Sequence, residues 1–242
     1  MAQVGTSSSA SLTPEMLARY RRDGWIRVPH VVTGGELTTL LRLVDPYVAE
    51  AATHGMRPEK LDMPHLKDPA WLAIARHPVL VEIARKLLGS DDIVLFASHL
   101  LCKPGGDGLA VPLHQDAEYW PLKPMEAVSA WLALDHVDDE NGAVRFLPGS
   151  HAWGPIAHEA NPGPEDAKVL HLRIPEEFRN QREFETALLS AGDCTFHHPY
   201  TVHYSRANFS TRRRAGLTLR YVTRRVEIGA GWPFDPPTFP VA

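Results

Sequence analysis

The first third of the chain carries its apolar residues at helical spacing. Thr13-Pro14 resembles a helix cap followed by proline at the first helical position, and Gly24 suits the end of that helix. A second helix is predicted over residues 36–52 and a short third from Trp71. A fourth is predicted over residues 79–88, ending at Gly89. This part of the protein is therefore predicted to be helical.

From Asp92 onward the apolar pattern shifts to short runs typical of strands. The predicted strands are residues 93–102, 127–134, 143–147, 169–174, 194–197, 202–205 and 215–222. Asn141-Gly142 predicts a hairpin turn between two of them. Helices followed by strands indicate an α+β fold, with the N-terminal helices packed on one sheet. Many short strands with Gly and Pro turns favour a jelly roll, in which two sheets face each other.

Size and charge narrow the class of protein. All-β units often reach the length of this chain, 242 residues, so residues 12–242 are predicted to form one domain behind a flexible tail of residues 1–11. A net charge of -4 gives no basic footprint for nucleic acid. We expect no membrane span and no secretion signal. The two cysteines are far apart in the sequence, which favours free thiols and a reducing cytoplasm. The sequence does not indicate the oligomeric state.

The strongest chemical signal is the segment His114-Gln115-Asp116. On an extended strand His114 and Asp116 project from the same face, and Gln115 faces away. A second imidazole from a distant strand would complete the two-histidine, one-carboxylate set of non-haem Fe(II) oxygenases. Alone, a His-x-Asp pair is more often part of a polar strand in a chain with 13 histidines.

The second histidine is not fixed by spacing. His197, His198 and His203 all lie in one β segment. Arg214 follows His203 and opens a predicted strand, and its planar guanidinium suits a carboxylate ligand. A hydrogen-bonded core histidine and a surface arginine are the alternative interpretation.

These residues belong to a longer pattern that resembles the phytanoyl-CoA dioxygenase family. The matching segments, in chain order, are Lys103-Pro104, Pro112 to Asp116, Ala130-Trp131, Asn141-Gly142, Leu147 to His151, Gly192-Asp193, His203 to Ser205, Asn208 and Arg214. The resemblance covers about residues 12–225. It implies a double-stranded β-helix, Fe(II), 2-oxoglutarate as cosubstrate and O2, with a small organic substrate.

The resemblance also implies roles for particular residues. His114, Asp116 and His203 match the metal ligands, and Arg214 matches the arginine that binds the distal carboxylate of 2-oxoglutarate. Further cosubstrate contacts are implied at Ser205, Trp131, Lys60 and His99, although a histidine at position 99 departs from the family. Relatives that halogenate replace the carboxylate with a small residue, so Asp116 favours hydroxylation or a related oxidation.

Two other functions use the same residues. A zinc enzyme without redox chemistry accepts two histidines and one carboxylate, but it leaves Arg214 and Trp131 unexplained. A jelly-roll binding protein would merely hold a ligand.

The substrate region is predicted from five aromatic residues and from a candidate lid over residues 152–168. The aromatic residues are Tyr119, Trp120, Phe146, Trp153 and Tyr200.

Overall fold

The computed structural model describes residues 10–180, 182–234 and 238–241. The predicted tail, residues 1–11, therefore lies almost entirely outside the described residues. Among the described residues, five α-helices precede most of the strands. They are α1 (Pro14–Asp23), α2 (Gly34–Thr53), α3 (Pro64–Lys67), α4 (Pro69–Ala75) and α5 (Pro78–Leu88). Within the described ranges, none of these helices is long and apolar enough to cross a bilayer.

The caps of the helices follow the sequence signals. Thr13 accepts a hydrogen bond from the backbone N–H of Met16 at 3.2 Å, and Pro14 opens α1. Gly24 ends α1 in the left-handed conformation at φ 78°. A side chain there would also meet the Thr201 hydroxyl and the His151 ring at under 3 Å, so only glycine fits.

The strands are antiparallel and form two main sheets. Their bounds are β1 (Trp25–Val28), β2 (Leu61–Asp62), β3 (Ile93–Lys103), β4 (Val111–His114), β5 (Leu122–Lys123), β6 (Ala127–Ala133), β7 (Val144–Phe146), β8 (Glu159–Ala160), β9 (Leu172–Arg173), β10 (Glu185–Thr186), β11 (Cys194–His197), β12 (His203–Ser205), β13 (Arg214–Thr223), β14 (Glu227–Ile228) and β15 (Phe239–Pro240). The large sheet has the order β1-β11-β6-β13-β3-β15, with β2 also on β3. The small sheet has the order β10-β7-β12-β4.

The two sheets face each other as in a jelly roll. The Trp25 ring of β1 stacks on the Phe146 ring of β7, with their centroids 4.7 Å apart. The helices pack on the outer face of the large sheet, where Leu219 of β13 joins one apolar cluster with Leu80 and Ile83 of α5. The predicted α+β jelly roll with helices on one sheet is confirmed.

Strand alternation decides which residues of the large sheet face the interior. On β13 the residues Ala215, Leu217, Leu219 and Tyr221 belong to the apolar cluster that the helices share with the large sheet. The intervening Arg214, Thr218 and Arg220 line the cavity between the sheets. Polar residues are thus concentrated on the inner face of a strand that is buried along its whole length.

Two local predictions are wrong. Strands β6 and β7, on either side of Asn141-Gly142, lie in different sheets, so the turn crosses between sheets and makes no hairpin. Gly142 does adopt the left-handed conformation, at φ 88°, as the glycine of a hairpin turn would. The Asn-Gly pair therefore predicts a turn here but not which strands the turn joins. The strand predicted at residues 169–174 is reduced to β9, and residues 169–171 line the cavity instead.

Candidate metal centre

Three side chains converge in the cavity between the sheets. Two come from strands of the small sheet, and the third comes from the turn that follows β4. His114 ends β4, and His203 begins the adjacent strand β12 directly opposite His114. Asp116 starts a short 3-10 turn, but Gln115 between them is extended, so His114 and Asp116 still project to the same side. One ligand atom from each of the three residues lies within 4.8 Å of the others, and all three residues are buried.

Hydrogen bonds fix both imidazoles in the form that a metal requires. The Nδ1 atom of His114 lies 2.8 Å from the Pro112 carbonyl oxygen, and Nδ1 of His203 lies 2.9 Å from that of Thr201. Each Nδ1 must carry its proton to donate, which leaves the Nε2 lone pair free. The two Nε2 atoms lie 3.7 Å and 4.0 Å from Asp116 Oδ1. Burial lowers the pKa of His203 well below its usual value, so its imidazole is neutral.

A row of three residues across the large sheet holds Asp116. His197 of β11, Ser129 of β6 and Arg220 of β13 are cross-strand neighbours. Asp116 Oδ2 accepts hydrogen bonds from Ser129 Oγ at 2.7 Å and His197 Nε2 at 3.2 Å, while Arg220 Nη2 lies 3.5 Å from Oδ1. Burial raises the pKa of Asp116, but the Arg220 charge and the neighbouring histidines outweigh it and hold the pKa well below its usual value. The carboxylate is therefore ionised, with Oδ1 towards the two histidines.

The geometry distinguishes the three candidate histidines of the β segment. His203 joins His114 and Asp116 in the metal-competent cluster. His197 contacts the carboxylate oxygen that faces away from that cluster, and His198 accepts a hydrogen bond from the backbone N–H of Tyr200. Sequence spacing missed the part that His197 and Arg220 play around Asp116. Alternation along β13 from Arg214 would have placed Arg220 on the same inner face.

Arg214 is a buried cation for which the described residues provide no carboxylate within salt-bridge distance. It is 1% exposed, and its Nε and Nη1 atoms find no hydrogen-bond partner among the described residues. Its guanidinium lies over the Trp131 ring at 5.2 Å, and burial lowers its pKa to about 10. Trp131 Nε1 and Thr218 Oγ1 nearby on the inner face are also buried without partners within the described ranges. Such a cluster of unmet donors fits an anionic ligand, because an unpaired buried charge is costly.

The remaining predicted cosubstrate residues line the same cavity of about 320 Å³. Ser205 is buried on β12, and Trp131 lies flat against Gly216, where a Cβ would come within 2.1 Å of its ring. Lys60 donates to the Glu165 carbonyl oxygen at 2.9 Å, and His99 contacts both Asp62 and Arg220. Their roles toward a cosubstrate stay predictions.

The aromatic residues that line the cavity differ partly from the predicted set. Tyr119, Trp120 and Phe146 line it, but Trp153 and Tyr200 do not. Trp153 is 51% exposed and packs on Phe178 instead. Two aromatic residues near the end of the chain, Trp232 and Phe234, line the cavity and were not anticipated.

Gln115 faces away from the cluster, as predicted, and binds the candidate lid. Its amide nitrogen donates to the Gly154 and Tyr200 carbonyl oxygens, and its oxygen accepts the Ile156 backbone N–H. Its own backbone N–H donates to His158 Nε2 at 3.0 Å. The segment at residues 154–158 is thereby fastened to the residue between His114 and Asp116.

Comparison with known proteins gives the same picture at the level of the whole chain. Residues 20–216 match the phytanoyl-CoA dioxygenase (PhyH) family. An L-proline trans-4-hydroxylase of Streptomyces griseoviridis is 30% identical over 244 residues, covering 90% of this chain and 89% of the hydroxylase. A probable phytanoyl-CoA dioxygenase of Caenorhabditis elegans is 28% identical, with 64% of this chain covering only 51% of that relative.

A solved structure extends the match to the fold. The epimerase SnoN in complex with Fe3+, alpha-ketoglutarate and nogalamycin RO superimposes with a TM-score of 0.70 at 27% identity. The match covers 92% of this chain and 91% of that chain. With a family match over most of its length and a similar relative along nearly all of it, this chain belongs to the phytanoyl-CoA dioxygenase family.

Proposed function

We propose that this protein is an Fe(II)- and 2-oxoglutarate-dependent dioxygenase that hydroxylates or otherwise oxidises a small organic molecule, releasing succinate and CO2. The observation that carries the proposal is that one cavity holds both the two-histidine, one-carboxylate cluster and the buried Arg214, two of whose nitrogens have no hydrogen-bond partner among the described residues. A zinc hydrolase needs the first feature and has no use for the second. Family membership and the SnoN complex with Fe3+ and alpha-ketoglutarate support the same choice.

The residues present suit both absent groups. His114, Asp116 and His203 would hold iron through Nε2, Oδ1 and Nε2, the three atoms that face one another. Arg214, whose guanidinium lies over the Trp131 ring, would bind the distal carboxylate of 2-oxoglutarate, and Ser205 and Thr218 line the same cavity. When bound, iron and 2-oxoglutarate would activate O2 for the attack on the substrate.

The protein's own contribution is orientation and exclusion of water. The Pro112 and Thr201 carbonyl oxygens hold the two imidazoles in one tautomer, and Ser129 with His197 fixes Asp116 so that Oδ1 stays towards the metal position. Gln115 fastens the 154–158 segment next to the site. Tyr119 and Trp120 give the cavity an aromatic wall.

The domain and its surroundings follow from the same proposal. We place the catalytic unit in residues 12–242 and expect a small-molecule substrate, as the names of the relatives suggest. The buried free thiols of Cys102 and Cys194 support a cytoplasmic location.

The test is formation of succinate from 2-oxoglutarate with Fe(II) and air. L-proline is the first substrate to offer, because the proline hydroxylase is similar along nearly its whole length. Succinate formed with Fe(II) but not with Zn(II) supports the dioxygenase, whereas turnover with Zn(II) and without 2-oxoglutarate would support a hydrolytic enzyme.

A matched pair of variants tests the assignment of the third ligand. His203→Ala should abolish Fe(II) binding and succinate formation. His198→Ala removes an imidazole from the same segment that lies outside the cluster, so it should retain Fe(II) binding. Equal loss of Fe(II) in both variants, or in neither, would contradict the assignment.

A further inference from the structure

Arg220 is a second buried guanidinium in the cavity, close to the metal position. It lies on the inner face of β13, six positions after Arg214 on the same strand and roughly 20 Å from it along the backbone. Its side chain is 11% exposed, and its guanidinium lies 5.1 Å from the centre of the Trp120 ring. The two arginines therefore serve different parts of the cavity.

A series of polar contacts that starts at the exposed Asp62 orients Arg220. His99 Nε2 lies 3.1 Å from Asp62 Oδ1, and His99 Nδ1 contacts Arg220 Nη1. Burial and the charge of Arg220 keep the pKa of His99 well below its usual value, so the ring is neutral. With its proton on Nε2 for Asp62, the ring offers the Nδ1 lone pair to Arg220. His99 thus fixes the guanidinium and adds no charge to the cavity.

Arg220 keeps donors that no group of the described chain uses. Its Nε is buried without a hydrogen-bond partner among the described residues. Its nearest carboxylate oxygen, Asp116 Oδ1, is 3.5 Å from Nη2, which is long for a charged hydrogen bond, and it is the oxygen that faces the metal position. Asp116 Oδ2 is already bonded to Ser129 and His197.

With Fe(II) and 2-oxoglutarate bound as proposed, the positive charges in the cavity exceed the negative charges by one. Iron and Asp116 together contribute one positive charge, and the 2-oxoglutarate dianion is matched by that charge and by Arg214. Arg220 then keeps only a long contact with Asp116, at 3.5 Å, whose charge the iron already balances, and the contact through His99 with the exposed Asp62. Among the other charged residues that line the cavity, the buried Glu59 is paired with Arg57 at 2.7 Å, and Lys60 and Asp62 carry opposite charges. A buried arginine whose charge is only partly compensated is costly, so the loaded site favours binding of one more anion.

We propose that Arg220 binds a carboxylate of the primary substrate, so that this dioxygenase acts on small carboxylic acids. The proposal rests on the proposed function and names its substrate class. A cavity of about 320 Å³ that must also hold the cosubstrate suits a substrate about the size of an amino acid. Trp120, which packs against the guanidinium and lines the cavity, would form part of the wall beside the carbon skeleton of the substrate.

The experiment follows the arginine Nε–H resonances of the protein loaded with Zn(II) as a diamagnetic substitute for Fe(II). The Arg220 and Arg214 signals are identified by their loss in Arg220→Lys and Arg214→Lys. Acetate is the probe, acetamide is its neutral counterpart, and sodium chloride controls for ionic strength. The exposed Arg224, paired with Asp92, supplies a reference signal that should not move.

In protein saturated with Zn(II) and 2-oxoglutarate, acetate should shift the Arg220 signal saturably and acetamide should not. Acetate should bind at least about tenfold tighter than chloride, because its two oxygens match the guanidinium. If 2-oxoglutarate alone moves the Arg220 signal and acetate then has no effect, the assignment to the substrate is overturned. If neither moves it, Arg220 is only a support for Asp116.

The same spectra distinguish a failure of the Arg220 proposal from a failure of the proposed dioxygenase function. Binding of 2-oxoglutarate should move the Arg214 signal whatever happens at Arg220. An unmoved Arg214 signal would count against the proposed dioxygenase itself, whereas a moved Arg214 with an Arg220 insensitive to acetate counts against the substrate class alone.

Discussion

Replacing Arg214 by methionine should separate the stability of the empty protein from its affinity for 2-oxoglutarate. In the empty protein the guanidinium is 1% exposed and two of its nitrogens are unpartnered within the described ranges. Exchanging a buried charged group for an apolar one of similar volume is often neutral or stabilising. We therefore expect Arg214→Met without ligands to unfold at the same temperature as the wild type or higher.

The expected loss of affinity for 2-oxoglutarate follows from Nε and Nη1 of Arg214, which have no partner among the described residues. Hydrogen bonds to charged groups contribute about 1.5–3 kcal/mol each, so losing two raises the Kd at least roughly 100-fold. At a 2-oxoglutarate concentration about 100 times the wild-type Kd, the ligand stabilises the wild type by about 2.7 kcal/mol but the variant by only ~0.4 kcal/mol. The variant should lose roughly 5–9 °C of the ligand-induced rise in Tm.

The assay is thermal unfolding of the Zn(II)-loaded protein with and without 2-oxoglutarate, where no turnover occurs. Arg213→Met is the matched control, because Arg213 pairs with Asp135 and Asp45 on the outside of the same strand end. That variant should lose stability without ligand and keep the full ligand-induced rise. An unchanged rise in Arg214→Met would refute the assignment of Arg214 to the cosubstrate.

Three further changes test other parts of the site. Gly216→Ala, whose Cβ would meet the Trp131 ring at 2.1 Å, should cost about 1–3 kcal/mol in unfolding free energy and weaken 2-oxoglutarate binding, while Gly35→Ala, with open space around it, should do neither. Ser129→Ala should weaken Fe(II) binding by roughly 10–100-fold in an anaerobic titration, and wild-type affinity would show that Asp116 needs no such support. Gln115→Leu should speed hydrogen exchange of the Ile156 amide, which an unchanged protection factor would contradict.

The sequence was sufficient for the parts of the site that depend on local periodicity. His114 and Asp116 share a face because Gln115 between them is extended, and strand alternation puts Arg214 on the inner face of β13. The choice of His203 over His197 needed the pairing of β12 with β4, since both histidines lie on short strands buried along their whole length. Burial on both faces leaves no alternation to read.

The pattern of apolar and polar residues did not predict the contacts between segments that are distant in the chain. Asn141-Gly142 has the residues of a hairpin turn, yet tertiary pairing sends β6 and β7 to different sheets. The row of His197, Ser129 and Arg220 around Asp116 exists only through the register of three strands that are far apart in the chain. The exposed position of Trp153 likewise depends on how the 150–153 turn packs against Phe178.

The most direct test is a structure of the protein loaded anaerobically with Fe(II) and 2-oxoglutarate. The iron should be bound by His114 Nε2, Asp116 Oδ1 and His203 Nε2 at roughly 2.0–2.2 Å, the range seen for such ligands on zinc. The distal carboxylate of 2-oxoglutarate should lie on Arg214. Iron bound without His203, or 2-oxoglutarate bound away from Arg214, would contradict the account.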